Sequence, residues 1–349
     1  MKSMNKLLAL LLALSLCLGL LAGCKKTEPA PESSAPAAVS SAPVESEEEN
    51  VEPEESAEVS LAQETVAEAS VPAETDEAEG GGDIAPAADY PYDYTVKMDV
   101  TGVDFDKLSK LDNESVPYGF ATADRDDLNR PNGIYYYDSI YKDIGNGVTH
   151  IDTDEKIVYL TMDEGYEAGH TPKILDTLKE KGVKAVFFIT KQFFDEHPEL
   201  IQRMIDEGHI IGNHTCAHKA GGMPQMGAEA QYEDYKWLND AVYEKFGYQM
   251  RLFRYPEGVS SKQSMALLNM MGYKAVFWSF AYRDFVLDDQ MDPSEALFQC
   301  VDQCHPGAVY LLHAVSATNT EILGDFIDSV REEGYDFGVF PVETAPAVN

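Results

Sequence analysis

From residue 156 onward the chain alternates short apolar runs with amphipathic helical runs. Predicted strands occupy 157–162, 184–189, 209–212, 274–280, 308–312 and 335–340. Predicted helices occupy 171–181, 198–207, 228–246, 261–271, 293–303 and 320–333. Repeated βα units of this length are typical of a parallel sheet covered by helices, because parallel strands need a crossover connection between them. The pattern therefore predicts an α/β fold, with a parallel (β/α) barrel as the favoured architecture.

Polar residues stand where these apolar runs end. They are Asp163, Glu164, His214, His218, Arg254, Asp284 and His313. In a parallel sheet or barrel the carboxyl ends of the strands meet on one face, where α/β active sites are found. We therefore expect these side chains to converge on a single site.

The first group suits metal-assisted hydrolysis. In the pair Asp163-Glu164, one carboxylate can bind a metal while the other takes a proton from water. His214 and His218, four residues apart, have a spacing suited to zinc. Taken alone, the acidic pair is also explained as a helix cap, and the two histidines as a coincidence on the surface.

The second group suits proton transfer. Arg254 can orient a carboxylate through paired hydrogen bonds. Asp284 can hold His313 in its charged, proton-donating form by raising its pKa. Each residue is ordinary on its own, but the whole set in this order favours a hydrolase that uses a metal, a base and an acid.

Four stretches of the chain resemble one known family. They are Thr-Met-Asp-Glu-Gly-Tyr-Glu at 161–167, Ile-Ile-Gly-Asn-His-Thr at 210–215, Phe-Trp-Ser at 277–279 and His-Pro-Gly-Ala-Val-Tyr-Leu-Leu-His at 305–313. The chain resembles the polysaccharide deacetylases, carbohydrate esterase family 4, over about 156–345. Within that family the motifs are most similar to the sporulation-type delta-lactam-biosynthetic de-N-acetylases of peptidoglycan.

The resemblance implies a distorted (β/α) barrel and metal-dependent removal of acetyl groups from N-acetylated sugars. It makes Asp163 the catalytic base, oriented by Arg254. It makes His313 the general acid that protonates the departing amine, tuned by Asp284. His214 and His218 become ligands of a divalent metal, for which zinc is expected and cobalt or another transition metal is an alternative.

The resemblance also assigns the substrate groove and shows three departures from the family pattern. Leu311 is expected to contact the acetyl methyl, and a backbone N–H near Tyr255 to bind the oxyanion. Glu164 replaces the usual Asp, where the sporulation-type enzymes have Asn, and we expect its longer arm to reach the metal. Tyr255 replaces the usual Pro and Phe285 the usual Trp, and both changes alter the expected substrate contacts.

The first 23 residues predict export. A basic start is followed by an apolar run from Leu7 to Leu21 and by Leu-Ala-Gly-Cys, which resembles a bacterial lipoprotein signal. Cys24 is then the lipidated N-terminus, and the protein is extracytoplasmic and anchored to a membrane. The alternative is an ordinary signal peptide with Cys24 nearby.

The rest of the chain divides by composition into three predicted segments. Residues 24–93 are a Glu-, Ala-, Pro- and Ser-rich stalk, and from Lys25 to Asp93 it holds 19 acidic and 2 basic residues, so we expect it to be disordered. Residues 94–155 are predicted to be an extension packed on the barrel, and 156–349 the deacetylase domain. A net charge of −35 argues against nucleic-acid partners, and we expect a monomer.

The expected function is the removal of N-acetyl groups from cell-wall glycan, with N-acetylmuramic acid of peptidoglycan as the favoured sugar. This makes the protein a hydrolase of linear amide bonds. Two alternatives stay open. One is a deacetylase of chitin-like or O-acetylated polysaccharide, and the other is a catalytically inactive glycan-binding lipoprotein.

Overall fold

The computed structural model describes residues 90–119, 124–142, 144 and 147–342, apart from the side chains of 141 and 142. The predicted signal segment 1–23, Cys24 and nearly all of the predicted stalk 24–93 lie outside the described residues. The described strands are β1 Val116–Pro117, β2 Gly147–Val148, β3 Ile157–Glu164, β4 Ala185–Ile189, β5 Ile210–Asn213, β6 Leu252–Phe253, β7 Val259–Ser260, β8 Lys274–Val276, β9 Phe280–Ala281, β10 Val309–His313 and β11 Asp336–Phe337. The described helices are α1 Phe105–Leu108, α2 Gly133–Lys142, α3 Thr171–Lys181, α4 Lys191–Glu196, α5 Pro198–Asp206, α6 Ala228–Phe246, α7 Lys262–Met270, α8 Pro293–Asp302 and α9 Ala317–Glu332.

The main sheet is parallel and has the order β2-β8-β6-β5-β4-β3-β10-β9, with β11 paired to the start of β3. The predicted α/β fold with a parallel sheet is therefore confirmed. The expected barrel is corrected to a half-barrel, because in the described chain β2 and β9 are the two ends of the sheet and do not pair with each other.

The predicted strand 274–280 is two strands in different places. After β8 the chain leaves the sheet. The Phe277 N–H donates to Val148 O of β2 at 2.7 Å, and the Ser279 N–H donates to Val309 O of β10 at 2.9 Å. Residues 277–279 therefore cross between the two ends of the sheet before β9 begins.

The central strands form the core. All five residues of β4 are buried, as are the last seven of β3. This continuous burial is typical of parallel strands that are covered on both faces. In α3 the predicted apolar face of Ile174, Leu175 and Leu178 is buried against the sheet, and the helix ends at Gly182, whose φ of 67° is left-handed.

The segment predicted as an extension, 94–155, is attached to the rest of the described chain in three places. Strand β2 belongs to the main sheet, and β1 pairs antiparallel with β7. The Gln249 N–H donates to Tyr94 O at 2.6 Å. Tyr92, at the described end of the segment predicted as the stalk, is also buried, and its hydroxyl donates to that of Tyr248 at 2.9 Å. None of the helices in the described ranges is long and apolar enough to cross a membrane.

Candidate active site

The register of β3 and β10 places Asp163 beside His313. Their Cα atoms are paired in the parallel ladder, and each is at the carboxyl end of its strand. Both side chains line one cavity. The expected convergence of these two residues therefore follows directly from strand pairing.

Asp163 is held by Arg254, which follows β6. Arg254 Nη1 donates to Asp163 Oδ1 at 2.8 Å, and Nη2 donates to Thr161 Oγ1 at 2.7 Å. Arg254 is only 1% exposed, and its guanidinium lies 4.2 Å above the ring of Phe188. Burial of Asp163 opposes its ionisation, but the positive charges around it, that of Arg254 first, together with the hydrogen bond from Arg254 lower the pKa of the carboxyl. Asp163 is thus a fixed, ionised carboxylate at neutral pH.

His214 follows β5 and is fixed as one tautomer. Its Nδ1 lies 2.9 Å from the carbonyl oxygen of Arg254, which can only accept, so Nδ1 carries the hydrogen. Burial lowers the pKa of His214 to about 4, so the ring is neutral at pH 7. Its Nε2 lone pair therefore faces Asp163 Oδ2, 3.4 Å away.

His218 is brought to His214 by a strained turn. Thr215 has a φ of 75° and His218 a φ of 39°. The ring centroids of His214 and His218 are 4.9 Å apart. The Asp234 carboxylate holds the turn by accepting the N–H groups of Cys216 and Ala217, each at 2.8 Å. A helix residue 16 positions beyond His218 thus sets the position of the second imidazole.

Glu164, which was predicted to reach the metal, lies on the other face of β3. Successive residues of a strand point to opposite faces, so Glu164 points away from the side that Asp163 occupies. Its carboxylate oxygens accept from Thr171 Oγ1 at 3.5 and 3.4 Å, under the start of α3. Glu164 is fully buried and is not among the residues that line the cavity. The structure therefore places it outside the group that faces His214 and His218.

Without Glu164, the side chains that can bind a metal are His214, His218 and the adjacent Asp163, and they fit a divalent cation. Nε2 of His214 and Oδ2 of Asp163 are two acceptors facing each other with no hydrogen between them, and a cation beside them removes their repulsion. The Nδ1–H of His214 bound to a carbonyl is the arrangement typical of metal-ligating histidines. In the described ranges, however, no three or more His, Cys, Asp or Glu side chains are already arranged around a metal position. His214 and His218 are thus the donors available, with Asp163 adjacent.

Asp284 and His313 form the opposite wall. Asp284 Oδ1 accepts from His313 Nδ1 at 2.7 Å, and Oδ2 accepts the backbone N–H of His313, also at 2.7 Å. Asn319 Nδ2 donates to Asp284 Oδ2 at 2.6 Å. Burial disfavours the charged imidazole, but Asp284 outweighs it and raises the pKa of His313. The Nδ1 of His313 is occupied, so Nε2 is the atom that can deliver a proton.

A cavity of about 680 Å³ lies between these two walls. This volume is within the range of roughly 300–1,000 Å³ that is usual for ligand pockets. Its lining includes the three residues predicted to contact substrate: Tyr255, Leu311 and Phe285. Phe285 is 53% exposed, with its ring centroid 5.3 Å from that of His313. The ring of Tyr255 is instead buried and stacks on Phe277 at 6.1 Å.

Sequence reasoning missed three supporting residues. Thr161 binds Arg254, Asp234 holds the histidine turn, and Asn319 binds Asp284. Thr161 carried a signal, since it lies two residues before Asp163 and therefore on the same face of its strand. The other two lie on helices and carry no local signal.

The fold and the site together define a class: an α/β protein with a base–arginine pair, two imidazoles and an acid–carboxylate pair around a cavity at the strand ends. Comparison with known proteins specifies the family. A sequence profile named Polysaccharide deacetylase matches residues 150–276. Peptidoglycan-N-acetylmuramic acid deacetylase PdaA of Bacillus subtilis (strain 168) is 42% identical over 205 residues, which cover 58% of this chain and 74% of that protein.

Solved structures agree with the sequence relatives. The structure of Bacillus subtilis PdaA, a family 4 carbohydrate esterase, matches with a TM-score of 0.61 at 37% identity, covering 65% of this chain and 95% of that one. A family 4 carbohydrate esterase from Bacillus anthracis matches with a TM-score of 0.53 at 35% identity, again covering 65% and 95%. The chain belongs to the polysaccharide deacetylase family.

Proposed function

We propose that this protein is a metal-dependent deacetylase that removes N-acetyl groups from cell-wall glycan, with N-acetylmuramic acid of peptidoglycan as the favoured sugar. The observation that carries the proposal is the cavity with Asp163 and Arg254 on one wall and His313 and Asp284 on the other. The sugar is suggested by the name of the relative that is 42% identical.

Each wall of the cavity provides one of the two proton transfers of amide hydrolysis. Asp163, ionised and held by Arg254, takes a proton from the attacking water. His313, charged because of Asp284, gives a proton to the departing nitrogen. Since the base must be ionised and the acid protonated together, the opposite pKa shifts of these residues suit one reaction near neutral pH.

A divalent cation, for which we propose zinc, would be held by His214 and His218 and would polarise the acetyl carbonyl as a Lewis acid. Leu311, at the cavity wall two residues before His313, is placed to contact the acetyl methyl. The backbone N–H of Tyr255 is our candidate for a second oxyanion donor. Glu164 is not part of this scheme.

We further propose that the protein acts outside the cytoplasm as a monomer, attached to a membrane through a lipid on Cys24. The support is the sequence of residues 1–24, with its basic start, apolar run and Leu-Ala-Gly-Cys. Residues 24–93 would then separate the deacetylase domain from the membrane surface.

The test is acetate release from three glycans: peptidoglycan strands stripped of stem peptides, chitin oligomers and acetylated xylan. Each is assayed with zinc or cobalt and again with a chelator, and Asp163→Asn serves as the matched inactive variant. We expect chelator-sensitive release from the peptidoglycan strands. Release from chitin or xylan alone would favour a different polysaccharide. Glycan binding with no release from any glycan would favour the catalytically inactive binding protein.

A further inference from the structure

Asn319 has every polar atom of its side chain paired inside the protein. It lies in the first turn of α9 and is 1% exposed. Its Nδ2 donates to Asp284 Oδ2 at 2.6 Å and to the carbonyl oxygen of His313 at 3.2 Å. Its Oδ1 accepts the hydroxyl of Tyr282. A carboxylate and a carbonyl can only accept, so these partners require an uncharged side chain that donates twice and accepts once.

This amide is the anchor of the Asp284 carboxylate outside His313. In the described chain the carboxylate accepts three hydrogen bonds, two from His313 and one from Asn319. The bond at Oδ1 goes to the imidazole, which is the group to be oriented. At Oδ2 the backbone N–H of His313 alone would leave the plane of the carboxylate free to turn about that bond. The second donor at Oδ2, from Asn319, fixes the plane and with it the position of Oδ1.

The amide is itself held by the start of α9. Ser316, the N-cap of this helix, accepts the Asn319 N–H on its Oγ at 3.0 Å, and the same hydroxyl donates to Gln290 Oε1 at 2.6 Å. Gln290 Nε2 donates in turn to the carbonyl oxygen of Asp284 at 2.8 Å. The hydrogen bonds therefore close a ring that begins and ends at Asp284. Networks of buried polar groups that are fully paired make the groups they connect rigid.

Building on the proposed function, we propose that Asn319 is a positioning residue that fixes the Asp284 carboxylate and thereby the direction in which His313 Nε2 points into the cavity. His313 lines the cavity and Asn319 does not, so Asn319 acts through Asp284. A general acid must lie within hydrogen-bond reach of the atom that receives its proton. A small misplacement of such a group lowers the rate of the chemical step. Asn319 therefore contributes to kcat and not to the binding of glycan or zinc.

Two variants separate the hydrogen bonds of the amide from its shape. Asn319→Ala removes both and leaves room in which a water molecule could replace the donor. Asn319→Leu keeps the branched shape, excludes water and cannot form a hydrogen bond. In both variants Asp284 Oδ2 loses the donor from α9, and only in Asn319→Leu is no substitute donor possible.

Asn113→Ala is the matched control for a loss of stability. Asn113 has partners of the same kind as Asn319, because its Nδ2 donates to Pro224 O at 2.9 Å and its Oδ1 accepts the hydroxyl of Ser261 at 2.7 Å. None of these three residues is part of the cavity lining. A variant that only weakens the fold should therefore resemble Asn113→Ala, and one that misdirects the proton donor should not.

The first measurement is kcat and KM for acetate release from peptidoglycan strands at pH 7, with the zinc-loaded full-length protein, together with zinc Kd. We expect kcat to fall about 10- to 100-fold in Asn319→Ala and at least as far in Asn319→Leu. KM and zinc Kd should change less than about twofold in both, since the lost interaction acts only in the chemical step. Asn113→Ala should keep the wild-type kcat.

The second measurement does not depend on catalysis. Nitrogen-15 NMR of the zinc-loaded protein reports how fast the Nδ1–H of His313 exchanges with water, and His313→Gln identifies the signal. We expect slow exchange in the wild type and in Asn113→Ala, because this hydrogen is bound to a buried carboxylate. Exchange should be about tenfold faster or more in both Asn319 variants, because the pair opens more often. Urea unfolding shows that each variant is folded.

Three outcomes would overturn the inference: wild-type kcat in both Asn319 variants, an unchanged exchange rate in both, or an equal loss of kcat in Asn113→Ala. Faster exchange in the Asn319 variants without acetate release by the wild type would contradict the proposed deacetylase activity and support the positioning role. Acetate release by the wild type, with unchanged kcat and exchange in the Asn319 variants, would do the reverse.

Discussion

Asp284 binds His313 at two points, through Oδ1 to the ring Nδ1 and through Oδ2 to the backbone N–H, each at 2.7 Å. The carboxylate therefore fixes both the charge of the imidazole and the direction of its ring. In this arrangement His313 is a proton donor whose pKa is lowered by burial and raised mainly by Asp284.

Replacing Asp284 should move the alkaline limb of the pH–rate profile. The pKa of His313 is raised because Asp284 outweighs burial, so the acid form persists to higher pH than in free histidine. In Asp284→Asn the pKa falls, and the proton is lost at a lower pH. We expect acetate release at pH 7 to fall about 10- to 100-fold, up to the lower end of the roughly 10²- to 10⁴-fold that general acid catalysis contributes. The check is kcat/KM from pH 5 to 9, and an alkaline limb at the wild-type position would contradict the role of Asp284.

Removing Arg254 should destabilise the fold. Arg254→Gln leaves Asp163 as a buried carboxylate without its cation, and we expect the free energy of unfolding in urea to fall by about 3–5 kcal/mol. Arg254→Lys is the matched control, because it keeps the charge but cannot bind Asp163 and Thr161 together. It should lose less stability. Equal losses in both variants would show that the geometry of the guanidinium, not its charge, stabilises the site.

The Arg254→Gln variant should also change two pH dependences. The pKa of Asp163 is lowered in the wild type, so its contribution to stability is present above the unfolded carboxyl pKa of about 3.9 and is lost as pH falls through the folded value. Because the unfolded states are alike, the stability difference between wild type and variant should shrink as pH falls from the higher folded pKa of Asp163 in the variant to the lowered folded pKa in the wild type. In the variant the base is protonated at a higher pH, so the acid limb of kcat/KM should shift upward.

Glu164→Gln should leave metal binding nearly intact. Glu164 contacts Thr171 and lies outside the cavity lining, so we expect zinc Kd, measured by competition with a chromogenic chelator, to change less than about twofold. His218→Gln is the comparison and should weaken zinc binding at least about tenfold. A similar loss in Glu164→Gln would restore Glu164 to the metal ligands.

Glu164→Gln should gain stability relative to the wild type as pH rises. Burial, followed by the nearby Glu167 carboxylate, raises the pKa of Glu164 well above its usual value. A group whose pKa is raised on folding contributes stability that is fully present below its unfolded pKa, about 4.3 for Glu. That contribution is lost as pH rises through the folded pKa. Glu164→Gln has no such loss. Urea unfolding from pH 4 to 9 would show the difference growing with pH, and a constant difference would contradict it.

Gly258→Ala should disturb the cavity wall at Trp278. Gly258 has a φ of 66°, and an added Cβ would lie 2.8 Å from Trp278 Cη2 and 3.0 Å from Tyr118 Cβ. We expect a loss of about 1–3 kcal/mol of stability and a higher KM, because Trp278 lines the cavity. Gly102→Ala, where an added Cβ meets nothing within 4 Å, is the matched control and should change neither quantity. A wild-type KM in Gly258→Ala would show that Trp278 does not contact the substrate.

Much of the fold could be predicted because it is encoded locally. Helix α3 spans the predicted 171–181, and β4, β5 and β10 begin within one residue of their predicted starts. Strands appear as apolar runs of five or six residues, and helices as amphipathic runs of ten or more with a different period. This difference is visible in the local sequence alone. The polar residues at strand ends were predicted for the same reason, since parallel strands bring their carboxyl ends together.

The errors arose where distant contacts decide the conformation. The run 274–280 is mostly apolar, yet it divides because Arg254 Nε donates to Val276 O at 3.0 Å and the chain then passes to the other end of the sheet. Glu164 is next to Asp163 in sequence, but the pleat of β3 sends it beneath α3. The division of 274–280 is not visible in a window of neighbouring residues, whereas the alternation of β3 already separates Glu164 from Asp163.

The sequence by itself determined the order of strands and helices, the residue types at the strand ends and the resemblance to a deacetylase family. The tertiary structure decided which residues contact each other. Asp163 lies beside His214, Asp284 binds Asn319, and Glu257 binds Gly221. The physical reason is that secondary structure follows from side-chain period and local backbone preference. The direction of a side chain in a loop instead depends on hydrogen bonds and charges supplied by segments far away in the chain.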